Sequence, residues 1–248
     1  NRSYLLALDP KTGKQLWKHY RPAKARSESL EAFSTPMPFS HNGRDEIVIV
    51  GGDCLTGHDP KTGKELWRWG TWNPSRIGHW RLVPSPVSGK GVLLACGPKG
   101  APVFAIKAGA KGDVSEDKSS IAWHSEGRRD QVTSDVSTPL FYQGNFYVLY
   151  GEGRDKILSC VDPKSGKAKW ATDLESRSLF RGSPTGADGK LYVQNHAGTV
   201  HVIDAKSGKV LHKTNMGEPG DDQTRATIAV AHGNLFIRTN SRLYCIGS

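Results

Sequence analysis

The chain has 248 residues, with 34 Lys and Arg against 24 Asp and Glu, a formal charge of +10 and a mean hydropathy of −0.51. No apolar run approaches the roughly 18 residues of a membrane-spanning helix, so no transmembrane segment is expected. The length suffices to bury the core of one all-β domain, and residues 1–248 are read as a single unit.

In chain order, Asn1 to Asp9 reads as a strand running into a turn rather than as a charged-then-apolar leader. The segment Ala7-Leu8-Asp9-Pro10-Lys11-Thr12-Gly13 to Trp17 then recurs almost unchanged from Gly57 through Asp59 and Gly63 to Trp67. A degenerate copy carries Ala105 to Lys107, an eight-residue insertion and Trp123. Two further copies run from Cys160 through Asp162 and Gly166 to Trp170, and from Val202 through Asp204 and Gly208 to His212, where Trp is expected. The chain ends on a partial copy, Cys245-Ile246-Gly247.

A second repeat stands upstream of each of these. A Ser or Thr, usually followed by Pro, precedes a Gly-containing turn: Thr35 and Gly43, Ser85 and Gly91, Thr138 and Gly144, Ser183 and Gly189, Thr227 and Gly233. Each turn leads into an apolar, β-branched or aromatic run, beginning at Glu46, Val92, Asn145, Lys190 and Asn234. Such runs flanking Asn42-Gly43 or Asp188-Gly189 signal hairpins, because Gly supplies the positive φ of a tight turn. Four antiparallel strands per unit, recurring every 42 to 55 residues, predict an all-β β-propeller of four-stranded blades. The recurring Asp, Gly and Trp are read as structural.

This pattern, Ala-x-Asp-x-x-Thr-Gly-x-x-x-Trp, resembles the repeat of the pyrroloquinoline-quinone-like (PQQ-like) β-propeller proteins over nearly the whole chain. The resemblance implies either a quinoprotein dehydrogenase or a non-catalytic member such as the propeller lipoprotein of the outer-membrane β-barrel assembly machine. It further implies a bacterial cell-envelope setting, periplasmic or secreted. Quinoprotein alcohol dehydrogenases of this family carry adjacent cysteines near the quinone, and no Cys-Cys pair occurs in the sequence.

The chain starts in the third strand of one blade and stops in the third strand of another, giving about 21 strands and about five blades. That count predicts further N-terminal blades in a seven- or eight-bladed parent. Cys160 and Cys245 fill the slot of Ala7 and Gly57, which calls for a small buried residue. Cys54 and Cys96 fall at strand ends, and no pair has zinc-site spacing. Two disulfides are possible on these positions but not favoured.

Function in such a fold belongs to the loops leading into the innermost strands and joining strands two and three. Those loops carry His79, Trp80, Arg81, Lys99, Arg154, Arg181, His196, Arg225 and Arg238, the candidate ligand- or partner-binding residues. Arg suits a carboxylate or sulfate, which its planar fork grips through two hydrogen bonds. His79 with Trp80 could stack on a sugar or quinone face. The expected partner is a protein or an anionic glycan. Nucleic acid is not expected, since Lys11, Lys61, Lys164 and Lys206 recur at one turn per blade instead of forming a stripe. No catalytic or metal-ligating set has recognisable spacing, and no cofactor is expected, PQQ being possible but unsupported. The sequence thus predicts a non-catalytic binding or scaffolding propeller, with a quinoprotein dehydrogenase-like enzyme, or a propeller fused to or assisting an enzyme, as the alternative.

Overall fold

The computed structural model describes residues 3–21, 23–70 and 72–247. Its local order begins in the Asp-x-x-Thr-Gly turns. Asp9 Oδ1 accepts hydrogen bonds from the Lys11 N–H (3.0 Å), the Thr12 N–H (2.7 Å) and the Thr12 hydroxyl (2.9 Å). Asp59 and Asp162 repeat all three contacts, and Asp204 makes those from the N–H and hydroxyl of Ser207. Hydrogen bonds from the Thr or Ser three residues on hold all four carboxyls below the usual Asp range. The other repeated turn is the two-residue hairpin. At Asn42-Gly43, Lys90-Gly91, Gln143-Gly144, Asp188-Gly189 and His232-Gly233 both central residues have positive φ, the signature of type I′.

These turns connect strands that are all short, and the only helical residues described are two 3-10 turns, Ser27–Leu30 and Lys118–Ser120. The chain divides into two compact units, residues 1–95 with 105–122, and residues 96–104 with 123–248. In the first, β1 (Tyr4–Leu8) pairs with β2 (Gln15–Tyr20). Next come β3 (Met37–His41), β4 (Arg44–Gly51), β5 (Cys54–His58) and β6 (Glu65–Trp69), a consecutive antiparallel sheet. The following sheet contains β7 (Val87–Gly89), β8 (Val92–Cys96) and β9 (Val103–Lys107). The insertion after β9 supplies a strand that the sequence pattern did not reveal: β10 (Gly112–Asp113) pairs parallel with β6, with Gly112 opposite Trp67, and makes its sheet five-stranded. The sheet of β7 to β9 is completed by β11 (Ile121–His124), in the order β11-β9-β8-β7, and the division between the units falls within it.

The second unit contains the sheets β12 (Leu140–Tyr142), β13 (Asn145–Tyr150), β14 (Ile157–Val161), β15 (Ala168–Asp173) and β16 (Thr185–Ala187), β17 (Lys190–Gln194), β18 (Thr199–Asp204), β19 (Val210–Asn215). A three-stranded sheet follows, β20 (Ala229–Ala231), β21 (Asn234–Arg238) and β22 (Leu243–Ile246). The fold is thus all-β, built of four-stranded antiparallel propeller blades.

Register confirms the internal repeat. Ala7 pairs with Trp17, Gly57 with Trp67, Cys160 with Trp170 and Val202 with His212, and each pairing is followed at once by a register shift. The Trp rings then dock onto the next turn. Gly63, Gly166 and Gly208 lie so close under Trp17, Trp123 and Trp170 that an added Cβ would come within 2.8, 2.5 and 2.6 Å of the ring Cδ2. Trp17 Nε1 donates to Pro60 O at 3.0 Å and Trp123 Nε1 to Pro163 O at 2.8 Å. Trp67 differs: its indole donates to Glu46 Oε2 at 2.5 Å within its own sheet, since the turn that would receive it is replaced by the insertion.

The upstream Ser/Thr repeat has a physical cause of its own. The N–H of Thr35 donates to Ser85 Oγ (2.8 Å), that of Thr138 to Ser183 Oγ (3.0 Å) and that of Ser183 to Thr227 Oγ1 (3.0 Å). Each hydroxyl thereby accepts from a backbone N–H two residues before an inner strand. Between the β12–β15 and β16–β19 sheets, Tyr147, Leu149, Leu158, Phe180, Leu191 and Ile203 are buried together. Full burial of such side chains contributes on the order of 1.5–3 kcal/mol each. All four cysteines are free. Cys160 is buried as its slot demands, but Cys245 is exposed, because β22 is the outermost described strand of its sheet.

Candidate functional site

The loops predicted to carry function are built differently in the two units. In the first, the backbone of His79 to Arg81 is tied to the Ser27–Leu30 turn: Ser29 N–H donates to Gly78 O at 3.2 Å and Trp80 N–H to Ser29 Oγ at 2.9 Å. Arg81 pairs with Glu31 at 2.6 Å and Glu28 at 3.3 Å. The structure therefore engages Arg81 with carboxylates of its own unit, while His79 stays exposed and Trp80 half-buried. In the β4–β5 loop Asp53 accepts a hydrogen bond from Asn73 Nδ2 at 2.8 Å, and burial raises its carboxyl pKa against that bond.

The second unit gathers more of the candidates. Arg181, four residues before β16 in chain order, pairs with Glu152 of the β13–β14 loop at 2.5 Å. Burial pushes the Glu152 carboxyl up, with Arg181 opposing the shift and Asp135 reinforcing it. His196, in the β17–β18 loop, is 9% exposed and held by its backbone, its N–H donating to Leu179 O (2.8 Å) and its carbonyl accepting from Thr224 N–H (3.0 Å). Burial first, then the positive charges of Arg181 and Arg225, lower its pKa, so the imidazole is neutral at pH 7. Arg181 Nε and His196 Nε2 are buried with no hydrogen-bond partner among the described residues.

Arg225 and Arg238 share a cavity of about 390 Å3 with Gln223, Thr224, Thr239 and Asn240. Its wall is fixed by Thr224 Oγ1 donating to Asn240 Oδ1 at 3.0 Å, and Arg225 donates to Gln223 Oε1 at 3.1 Å. The remaining two candidates stand apart. Arg154 lines a different cavity, and the Lys99 N–H donates to Asp135 Oδ1 at 2.6 Å while its side chain is exposed. The structure thus brings Arg181, His196 and Arg225 into electrostatic reach, and Arg225 and Arg238 into one cavity. Arg128, legible in the sequence as a residue of an inner-strand loop but not among the nine candidates, lines a cavity with Tyr150, which the sequence did not single out. Tyr150 reads from sequence as one apolar member of a buried strand, which hides its hydroxyl.

Sheets of this repeat, docked Trp to Gly and linked Ser to Thr, define a PQQ-like β-propeller protein. The family model described as outer membrane protein assembly factor BamB matches residues 1–120 and again 111–246, and the chain belongs to that family. BamB from Moraxella catarrhalis superposes with a TM-score of 0.64 at 15% identity, over 95% of this chain and 63% of that one. The quinohemoprotein alcohol dehydrogenase of Comamonas testosteroni gives 0.65 at 14% identity over 90% of this chain and 42% of that one. Saccharomyces cerevisiae Sqt1 gives 0.68 at 11% identity, covering 99% and 66% of the two chains. The chain spans less than two thirds of the length of each of these proteins. No curated protein matches it.

Proposed function

We propose that this chain is a non-catalytic scaffolding module of the bacterial cell envelope, which holds an acidic segment of a protein partner at Arg181, His196, Arg225 and Arg238. The observation that carries the reading is the pair of buried nitrogens without a partner among the described residues, Arg181 Nε and His196 Nε2, with His196 tied by its carbonyl to the Thr224 N–H of the Arg-lined cavity. A buried polar atom without a partner costs about 1–3 kcal/mol, which an incoming carboxylate or amide would relieve. Membership of the BamB family supports a partner-binding role over catalysis.

The dehydrogenase alternative asks the loop carboxylates to hold calcium and serve as a base. Four of them are already engaged locally: Asp53 by Asn73, Asp135 by the Lys99 N–H, Glu152 by Arg181, and Asp221 by the Glu218 N–H and the Ser241 hydroxyl. On this reading, quinone and calcium together leave the melting temperature of the protein unchanged, and a stoichiometric rise would restore the enzyme reading.

The binding test uses a fluorescein-labelled hexaglutamate peptide and anisotropy at low salt. Replacing Arg225 and Arg238 together with Ala is expected to weaken binding at least about tenfold, because charge-assisted hydrogen bonds are lost. Lys164→Ala with Lys206→Ala removes the same charge from the outer turns and serves as the comparison. Equal loss in the two double variants, or no binding by the native chain, refutes the site.

A further inference from the structure

The second unit holds another cavity, of about 530 Å3, lined by Arg128, Gln131, Thr133, Tyr150, Arg154 and Asp155 among others. The connection that follows β11 forms one wall and is pinned by side-chain hydrogen bonds: Ser159 Oγ donates to Gln131 O and Thr133 Oγ1 to Ala101 O, both at 2.7 Å. Arg128 is fixed as well. Its Nη2 donates to Lys99 O at 3.1 Å, and its guanidinium lies 5.0 Å from the centre of the Tyr150 ring, in cation–π range. The corresponding place in the first unit has a hollow of about 370 Å3 lined by Asp53, Arg68 and Asn73, with Arg68 and Ala171 at matching repeat positions. The hollow therefore belongs to the repeat, and its chemistry belongs to the side chains.

What marks the larger cavity is Tyr150. The residue is 6% exposed, yet its hydroxyl has no hydrogen-bond partner among the described residues. That hydroxyl lies against Gly153 of the β13–β14 loop, where a Cβ would approach it to 3.4 Å, and both residues line the cavity. We propose that this cavity binds a small hydroxylated carboxylate of the uronic-acid class. The carboxylate accepts from the Tyr150 hydroxyl and the guanidinium of Arg154, the ring hydroxyls pair with Asp155, Gln131 and Thr133, and the half-buried Ile157 supplies an apolar contact for the ring face. The volume falls in the range of small-ligand pockets.

Calorimetric titration with glucuronate, glucose and acetate tests this. Glucuronate should bind at least about tenfold more tightly than glucose, which lacks the charge, and more tightly than acetate, which lacks the hydroxyls. Tyr150→Phe should weaken glucuronate about tenfold. The same variant should not lower the melting temperature of the unliganded protein, because the hydroxyl it removes has no partner to lose. Arg154→Ala should also weaken binding, and Lys164→Ala, at an outer turn, should not. The site is refuted if glucuronate does not bind at millimolar concentration, if glucose binds as tightly, or if Tyr150→Phe binds like the native chain.

Discussion

The Trp-to-Gly docking makes a quantitative claim that a single methyl group tests. Gly166 has φ +72°, so Gly166→Ala first incurs the left-handed strain of an L-residue, roughly 1–2 kcal/mol. The new Cβ then falls 2.5 Å from Trp123 Cδ2, and the ring, 8% exposed, must move. Overpacking of this kind costs about 1–3 kcal/mol, and loss of the 2.8 Å bond from Trp123 Nε1 to Pro163 O adds about 1 kcal/mol. The expected total is about 3–6 kcal/mol. Gly189→Ala isolates the strain, since Gly189 has φ +69° and nothing within 4 Å of an added Cβ. The difference between the two variants, about 2–4 kcal/mol, then measures the docking. Urea unfolding followed by circular dichroism gives both values, provided the denaturant slope is unchanged. If the two variants are equally destabilised, the indole is not held by its glycine and the account of the repeat is wrong.

Two further predictions rest on other parts of the fold. Ser183→Ala removes the acceptor of the Thr138 N–H and should cost about 1–3 kcal/mol in urea unfolding, whereas Ser183→Thr should restore it, as Thr serves at position 227; equal losses in both variants would refute the hydroxyl link. Burial lowers the pKa of His58 to about 4, below its unfolded value, so the unfolded state binds the proton more readily and stability should fall as pH drops from about 6.5 towards 4. His201, also lowered to about 4 by burial, acts in the same direction, so His58→Gln should flatten only part of the slope, and a slope identical to the native one would refute His58's contribution.

Much of the fold was legible because its determinants are local and recur. Asp9, Thr12 and Gly13 build their turn without outside help, and Asn42-Gly43 sets a hairpin from two residues. What stayed hidden depends on neighbours distant in sequence. Trp67 matches Trp17 in the alignment but finds Glu46 in place of a turn carbonyl, and β10 is two residues with no periodicity to betray it. Arg81 and Arg181 both stand within four residues of the Ser that opens an inner strand, yet Arg81 meets the glutamates of a turn some 50 residues upstream, while Arg181 meets a single carboxylate and keeps a buried Nε without a partner among the described residues. Repeat position specifies where a loop residue starts from, and the side chains around it decide what it can bind.

That distinction bears on how the basic charge of this protein works. The recurrent lysines, Lys11, Lys61, Lys164 and Lys206, are all exposed, and their attraction for an anion is the kind that salt screens within about 10 Å. Arg181 is different, being half-buried and already matched by Glu152 at 2.5 Å. An anion approaching it gains little from net charge, because Glu152 opposes it at close range. Arg225 and Arg238 have no such carboxylate among the described residues lining their cavity, and burial first, then the charges of Arg181 and Arg225, disfavour a proton on His196. The favourable ligand is therefore one whose acidic group sits over Arg225 and Arg238 while a neutral acceptor reaches Arg181 Nε and His196, a pattern that a peptide backbone flanked by Glu or Asp can supply and an inorganic anion cannot.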